Sequence, residues 1–187
     1  APGAGLADEF LPIDLKDKEK MAEAAAEIHR DRLDGVFTAG TDFSTTVAWV
    51  AEKLGLPGIP YSSALAAKDK GAMRKAFARA GVPSPRYGVV KDGGVGADPG
   101  YPEIPGDLSF PLVVKPVDNM GARGVRRVEN GEELRKALSI AIDQSVCGTA
   151  IVEEYIPGPE FSIDALVYRG KITPCGFADR HITFPPY

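Results

Sequence analysis

Apolar residues recur at helical spacing through the first part of the chain and at strand-like spacing through most of the last part. From Asp17, the positions Met21, Ala24, Ala25 and Ile28 make one stripe and Gly35 closes the segment, which predicts a first helix. Val36, Phe37 and Thr38 predict a short strand, followed by a turn at residues 39–42 suited to capping a second helix. In that helix Val47, Val50, Ala51 and Leu54 face inward until Gly55, and Pro57 prevents continuation. A third helix is predicted from about Ala67, with Met73, Ala76, Phe77 and Ala80 on one side, ending at Gly81 before Pro83 and Pro85.

Beyond those prolines the period changes. Tyr87 to Val90 reads as a strand, and residues 91–106, rich in Gly, Pro and Asp, as a surface insertion. Leu112 to Lys115 predicts a buried strand, Gly124 to Val128 its hairpin partner, and Gly131 onward a helix with Leu134, Leu138 and Ala141 inward and Asn130 as N-cap. Ala150 to Ile156 and Phe161 to Tyr168 follow as strands, and Lys171 begins another after the Arg169-Gly170 turn. The fold class is therefore α/β in the α+β sense: a small open α/β unit, then an antiparallel sheet with one helix on its face, then the start of a second sheet. The unit before about Pro83 and the sheet after it are expected to be separate, with no parallel sheet spanning both.

Composition narrows the function classes. The chain has 187 residues, 44% hydrophobic and 26% charged, which is globular, and its net charge of -4 disfavours a nucleic-acid partner. Cys147 and Cys175 are the two cysteines and form no CxxC, so neither a disulfide framework nor a zinc site is signalled. No apolar run approaches the roughly 20 residues that span a bilayer, so no membrane partner is expected and a reduced cytoplasmic setting is. The start at Ala1 and the end at Tyr187 read as those of a piece of something longer.

Four features carry candidate chemistry, and each alone has an ordinary structural explanation. Lys70 follows Asp69 near a helix start, where lysines mostly meet solvent. Lys115 ends an apolar strand, where an ammonium needs a partner and either snorkels outward or serves as a phosphate ligand. Gly121, Arg123 and Gly124 lie in a hairpin turn whose glycines let backbone N–H groups approach phosphate. Glu153, Glu154, Ile156 and Glu160 lie on a strand end and connector, which suits either a charged edge strand or the reading of a base edge and a ribose.

Taken in order, Lys70, Lys115, the Gly121/Gly124 loop, Glu153 and Glu160 resemble the signature of the ATP-grasp superfamily. The flavour is that of the branch with biotin carboxylase and carbamoyl phosphate synthetase, with a hinge also similar to D-alanine–D-alanine ligase. The resemblance implies a partial Rossmann-like unit over residues 1–66 and the N-terminal part of an ATP-grasp domain over 67–187, with its lid at about 84–156. It implies that Lys70 and Lys115 meet the α- and β-phosphates of ATP and that the loop with Gly121, Arg123 and Gly124 covers the triphosphate. Glu153 would face the adenine amino group or its surroundings, the main chains of Glu154 and Ile156 would read the adenine edge, and Glu160 would hold the ribose. Asn119, Met120 and Ala122 stand where many relatives have Gly or Ser, which implies a stiffer loop.

The implied activity is that of an ATP-dependent ligase. ATP with Mg2+ would phosphorylate a small-molecule carboxylate, and an amine or other nucleophile would attack the acyl phosphate. No Glu follows Glu160, and Asp164 and Asp179 are the remaining carboxylates, so no metal site is expected in this segment and the catalytic residues are left unassigned. His181 and His29 are read as solvated. The chain alone is expected to bind nucleotide without turnover. A non-catalytic ATP/ADP-binding module of a larger assembly is the alternative, a homodimer is left open, and a Rossmann dinucleotide site is disfavoured because no G-x-G-x-x-G opens a helix.

Overall fold

A computed structural model describes residues 4–29, 33–91 and 107–181. The chain divides into two compact units, Ala1–Ala80 and Gly81–Tyr187. The described part of the first is helical: a short 3-10 turn at Ala4–Leu6, then α1 (Lys18–His29), α2 (Ser44–Leu54), α3 (Tyr61–Lys68) and α4 (Lys70–Arg79). Ala48, Val50 and Ala51 are buried on α2, and Gly55 ends that helix in the left-handed conformation at φ 66. Lys18 joins three of these helices, because its Nζ donates to Tyr61 Oη at 2.7 Å and lies 4.1 Å above the Trp49 ring.

Three expectations for this unit are corrected. Val36, Phe37 and Thr38 form no strand. Their β propensity is local, whereas a strand needs a ladder partner, and among the described residues none pairs with them. Phe37 instead stands 84% exposed and, with Leu11, Met21, Val36 and Val50, lines an apolar cavity of about 290 Å³. The turn at 39–42 supplies no side-chain cap, since Phe43 takes the N-cap position of α2. The third expected helix begins at Lys70, not about Ala67, and an unexpected helix, α3, precedes it: Asp69 closes α3 and its carboxylate accepts from Ala72 N–H at 2.8 Å to start α4.

The second unit carries an antiparallel sheet in the order β1-β4-β2-β3, built from β1 (Tyr87–Lys91), β2 (Leu112–Pro116), β3 (Arg126–Val128) and β4 (Thr149–Glu154). Central β4 has ladders on both sides, pairing Val113 with Glu153 and Tyr87 with Glu153. Helix α5 (Gly131–Gln144) covers one face with Leu134, Ala137, Leu138, Ala141 and Ile142, all buried, packed on Val90, Leu112, Val114, Val128, Ala150 and Val152. Strand alternation sends Val113, Lys115, Ile151 and Glu153 to the opposite face. Asn130 caps α5 as expected, accepting from Glu133 N–H at 3.0 Å while the Glu133 carboxylate reaches back to Glu129 N–H at 2.9 Å.

A separate two-stranded sheet, β5 (Glu160–Tyr168) with β6 (Lys171–Arg180), follows with a bulge between Asp164 and Ala165. The mixed α/β class with antiparallel sheets is thus the observed one. The hairpin partner at 124–128 is shorter than expected, because Gly124 belongs to the turn, and β4 ends at Glu154, two residues before Ile156. Most of the insertion expected at 91–106 lies outside the described residues.

Candidate nucleotide site

Lys115 reaches the sheet face away from α5 because β2 alternates, and on that face it meets Glu153 of β4. Its Nζ forms an ion pair with Glu153 Oε2, with the lysine side chain 20% exposed and the glutamate 3%. The partner that an ammonium at the end of a buried strand requires is thus a carboxylate of the neighbouring strand. A pair this buried is costly to desolvate, so its worth lies in fixing a positive charge at one place on the sheet.

The turn after β2 is held from both ends. Asp118 Oδ1 accepts from Ser145 Oγ at 2.9 Å and from Val146 N–H at 3.1 Å, and its Oδ2 accepts from Cys147 N–H at 3.0 Å. Burial pushes the Asp118 carboxyl up, but the hydrogen bonds from Ser145, Cys147 and Val146 together outweigh it and hold the group below the ordinary aspartate range. Asn119 Nδ2 donates to Gln144 O at 3.3 Å, so the loop is tied to the C-terminal end of α5. Within it Gly121, Ala122 and Gly124 all have positive φ, at 67, 57 and 73. A Cβ on Gly124 would lie 2.8 Å from Gln144 Oε1 and 2.9 Å from Pro116 Cγ, so glycine is required there by space as well as by φ. Arg123 Nε donates to Met120 O at 3.1 Å, which closes the loop on itself.

The strand end beyond Glu153 is braced by residues that the sequence pattern left unassigned. Glu154 N–H donates to Arg86 O at 3.0 Å, and its carboxylate accepts from Arg86 N–H at 3.0 Å and Arg86 Nε at 2.7 Å. The Arg86 backbone N–H first, and its guanidinium second, hold the Glu154 carboxyl below the usual glutamate range. Arg86 also donates to Asp107 O at 2.7 Å. Tyr155 N–H donates to Pro111 O at 3.2 Å, and Arg127 lies 4.3 Å from the Tyr155 ring. Glu160 opens β5 and pairs with Arg180 of β6 at 3.3 Å, both side chains more than half exposed.

Of the residues singled out from sequence, Lys115, Glu153, Glu154, Ile156, Glu160 and the Gly121 to Gly124 loop all belong to the second unit, whereas Lys70 is the first residue of α4 in the first unit. The structure brings Lys115 and Glu153 into contact. No group of three His, Cys, Asp or Glu that could hold a metal ion occurs among the described residues. Among those residues no helix is long and apolar enough to cross a membrane.

Known proteins resemble this chain in sequence and in fold. A family model described as an ATP-grasp domain matches residues 108–181, and one described as an ATP-grasp N-terminal domain matches residues 2–58. Carnosine synthase 1 of Gallus gallus is 28% identical over 203 residues, covering 98% of this chain and 22% of that protein. The crystal structure of an L-amino acid ligase from Bacillus licheniformis superposes with a TM-score of 0.71 at 24% identity, covering 96% of this chain and 40% of that one. The D-alanine–D-alanine ligase of Bacillus anthracis, in complex with ATP, does so with a TM-score of 0.67 at 26% identity, covering 94% and 56%. The chain thus spans between about a fifth and just over half the length of these relatives. With an ATP-grasp N-terminal model over residues 2–58 and an ATP-grasp domain model over residues 108–181, the chain belongs to the ATP-grasp superfamily.

Proposed function

We propose that this chain is the ATP-binding part of a ligase that activates a small-molecule carboxylate as an acyl phosphate for attack by an amine or other nucleophile. The observation that carries it is the buried Lys115–Glu153 pair, held on the sheet face away from α5, with Lys115 near the end of the strand that leads into the glycine loop. A fixed ammonium beside N–H groups in a positive-φ loop is suited to phosphate oxygens, with Lys115 on the α- and β-phosphates and the Gly121, Arg123 and Gly124 loop over the triphosphate. The main chains of Glu154 and Ile156 are assigned to the adenine edge, and Glu160 to the ribose. Glu153 both orients Lys115 and borders the adenine.

In the reaction, a carboxylate oxygen attacks the γ-phosphorus, the bond to the β,γ-bridging oxygen breaks and ADP leaves. The nucleophile then adds at the acyl carbon, phosphate leaves, and the nucleophile's proton passes to solvent or a base. This chain's part is to bind and orient the nucleotide and to offset its charge, which is where most of the catalysis of phosphoryl transfer lies. Magnesium belongs to this chemistry when bound to the nucleotide phosphates. The reading also places the protein in the cytoplasm, where Cys147 and Cys175, both free and exposed, stay reduced.

Thermal protection tests the binding claim: ATP and ADP are expected to raise the melting temperature and GTP to do so poorly. ADP release with a panel of carboxylates, measured on this chain and on the longest protein containing it, tests the ligase claim. Nucleotide binding that depends on Lys115 with no turnover in either would favour a non-catalytic binding module.

A further inference from the structure

In an antiparallel ladder, two residues that form a hydrogen-bonded pair exchange both bonds, each N–H giving to the other's C=O. Arg86 and Glu154 stand in that relation, since β1 and β4 pair Tyr87 with Glu153 and Glu154 N–H donates to Arg86 O at 3.0 Å. The return bond is diverted. Arg86 N–H donates to the Glu154 side chain, at 3.0 Å to Oε1, while Arg86 Nε holds Oε2 at 2.7 Å and Arg86 Nη1 is anchored on Asp107 O at 2.7 Å. On the other side of β4, Tyr155 N–H is taken by Pro111 O. No donor among the described residues takes the Glu154 carbonyl.

We infer that Glu154 and Arg86 are positioning residues for base recognition. The Glu154 carboxylate caps the Arg86 N–H that would otherwise consume its own main-chain carbonyl. That carbonyl is thereby kept as a free acceptor at the sheet edge for the 6-amino group of adenine. The inference rests on the nucleotide reading above and adds to it the device that keeps the base-reading atom open. A side chain contributing only to stability would have no reason to affect which base is bound.

The experiment compares binding of ADP with binding of purine riboside 5′-diphosphate, which lacks the 6-amino group, to this chain and to its variants by calorimetry. The wild type is expected to prefer ADP by about tenfold, the worth of one well-made hydrogen bond. In Glu154→Ala the Arg86 N–H is released to the carbonyl and the preference should fall to within about twofold, whereas Glu154→Gln, whose amide oxygen still accepts from that N–H, should retain it. Glu154→Asp, which withdraws the carboxylate by one methylene, is expected to behave as Glu154→Ala and serves if the alanine variant does not fold. A preference unchanged in Glu154→Ala or Glu154→Asp overturns the inference, even if the melting temperature falls. Equal binding of the two nucleotides by the wild type overturns it while leaving the nucleotide site standing. Failure of the wild type to bind either one overturns the site reading and the inference together.

Discussion

Lys115 of β2 and Glu153 of β4 are diagonal neighbours on one face of the sheet, a lysine four-fifths buried against a glutamate only 3% exposed. Two consequences follow from that burial. The pair forms the fixed charge of the proposed phosphate site, and neither partner can be removed without disturbing the sheet. Lys115→Ala should destabilise the chain by on the order of 3 kcal/mol, because it strips a cation from a desolvated carboxylate. The Lys115→Met and Glu153→Gln double variant should recover much of that loss while still failing to bind ADP. Urea unfolding of the three proteins checks the first point and calorimetry the second.

The glycine loop separates strain from crowding. Gly121 and Gly124 both have positive φ, but only Gly124 lacks room for a Cβ. Gly121→Ala should cost about 1 kcal/mol from conformation alone. Gly124→Ala should cost about 2 kcal/mol or more, since Gln144 and Pro116 must also move. Denaturant midpoints at constant slope are the measurement, and equal losses would show that the crowding is relieved cheaply.

Acid should act through Asp118. Its carboxyl titrates lower in the folded chain than in the unfolded one, so its contribution is complete above the unfolded aspartate value near ~3.9 and is lost as the pH falls through the lower folded value. Glu154 acts in the same direction. Stability measured by urea between pH 7 and pH 2.5 should therefore decline in the acid range, and Asp118→Asn should be less stable at pH 7 and show a shallower decline. A variant with the same acid slope as the wild type would remove Asp118 from the account.

Glu160 distinguishes binding from folding. Its pair with Arg180 joins two side chains more than half exposed, so it adds little to stability. Glu160→Ala should leave the melting temperature nearly unchanged yet weaken ADP binding by about 1 to 3 kcal/mol through lost ribose hydrogen bonds. A fall in melting temperature with unaltered ADP binding would assign Glu160 to the hairpin instead.

How far the sequence could be read depended on whether the deciding contact was local. The amphipathic stripe of α5, its Asn130 cap and the apolar runs of β2 and β4 are visible within a few residues, and each became the expected element. Val36 to Thr38 misled for the opposite reason, because strand propensity says nothing about whether a neighbour is there to complete the ladder. The start of α4 was legible near Asp69, an N-cap residue, but α3 before it was missed, because its eight residues carry no clear apolar stripe and bury only Ala64. Lys115 stood out because an ammonium at the end of a buried strand needs an anion, although the choice of Glu153 required the register. Arg86 had no local signal: it follows two prolines that mark a boundary, and its partner lies 68 positions away.

The central claim is that this chain carries a site for an adenine nucleotide, and calorimetric titration of it with ADP and with GDP under one set of conditions tests that most directly. Saturable binding of one ADP per chain is expected, with GDP at least about tenfold weaker, because the edge proposed at Glu154 and Ile156 would present an acceptor where adenine carries its amino group and guanine a carbonyl. No saturable ADP binding, or ADP and GDP bound equally well, would contradict the account.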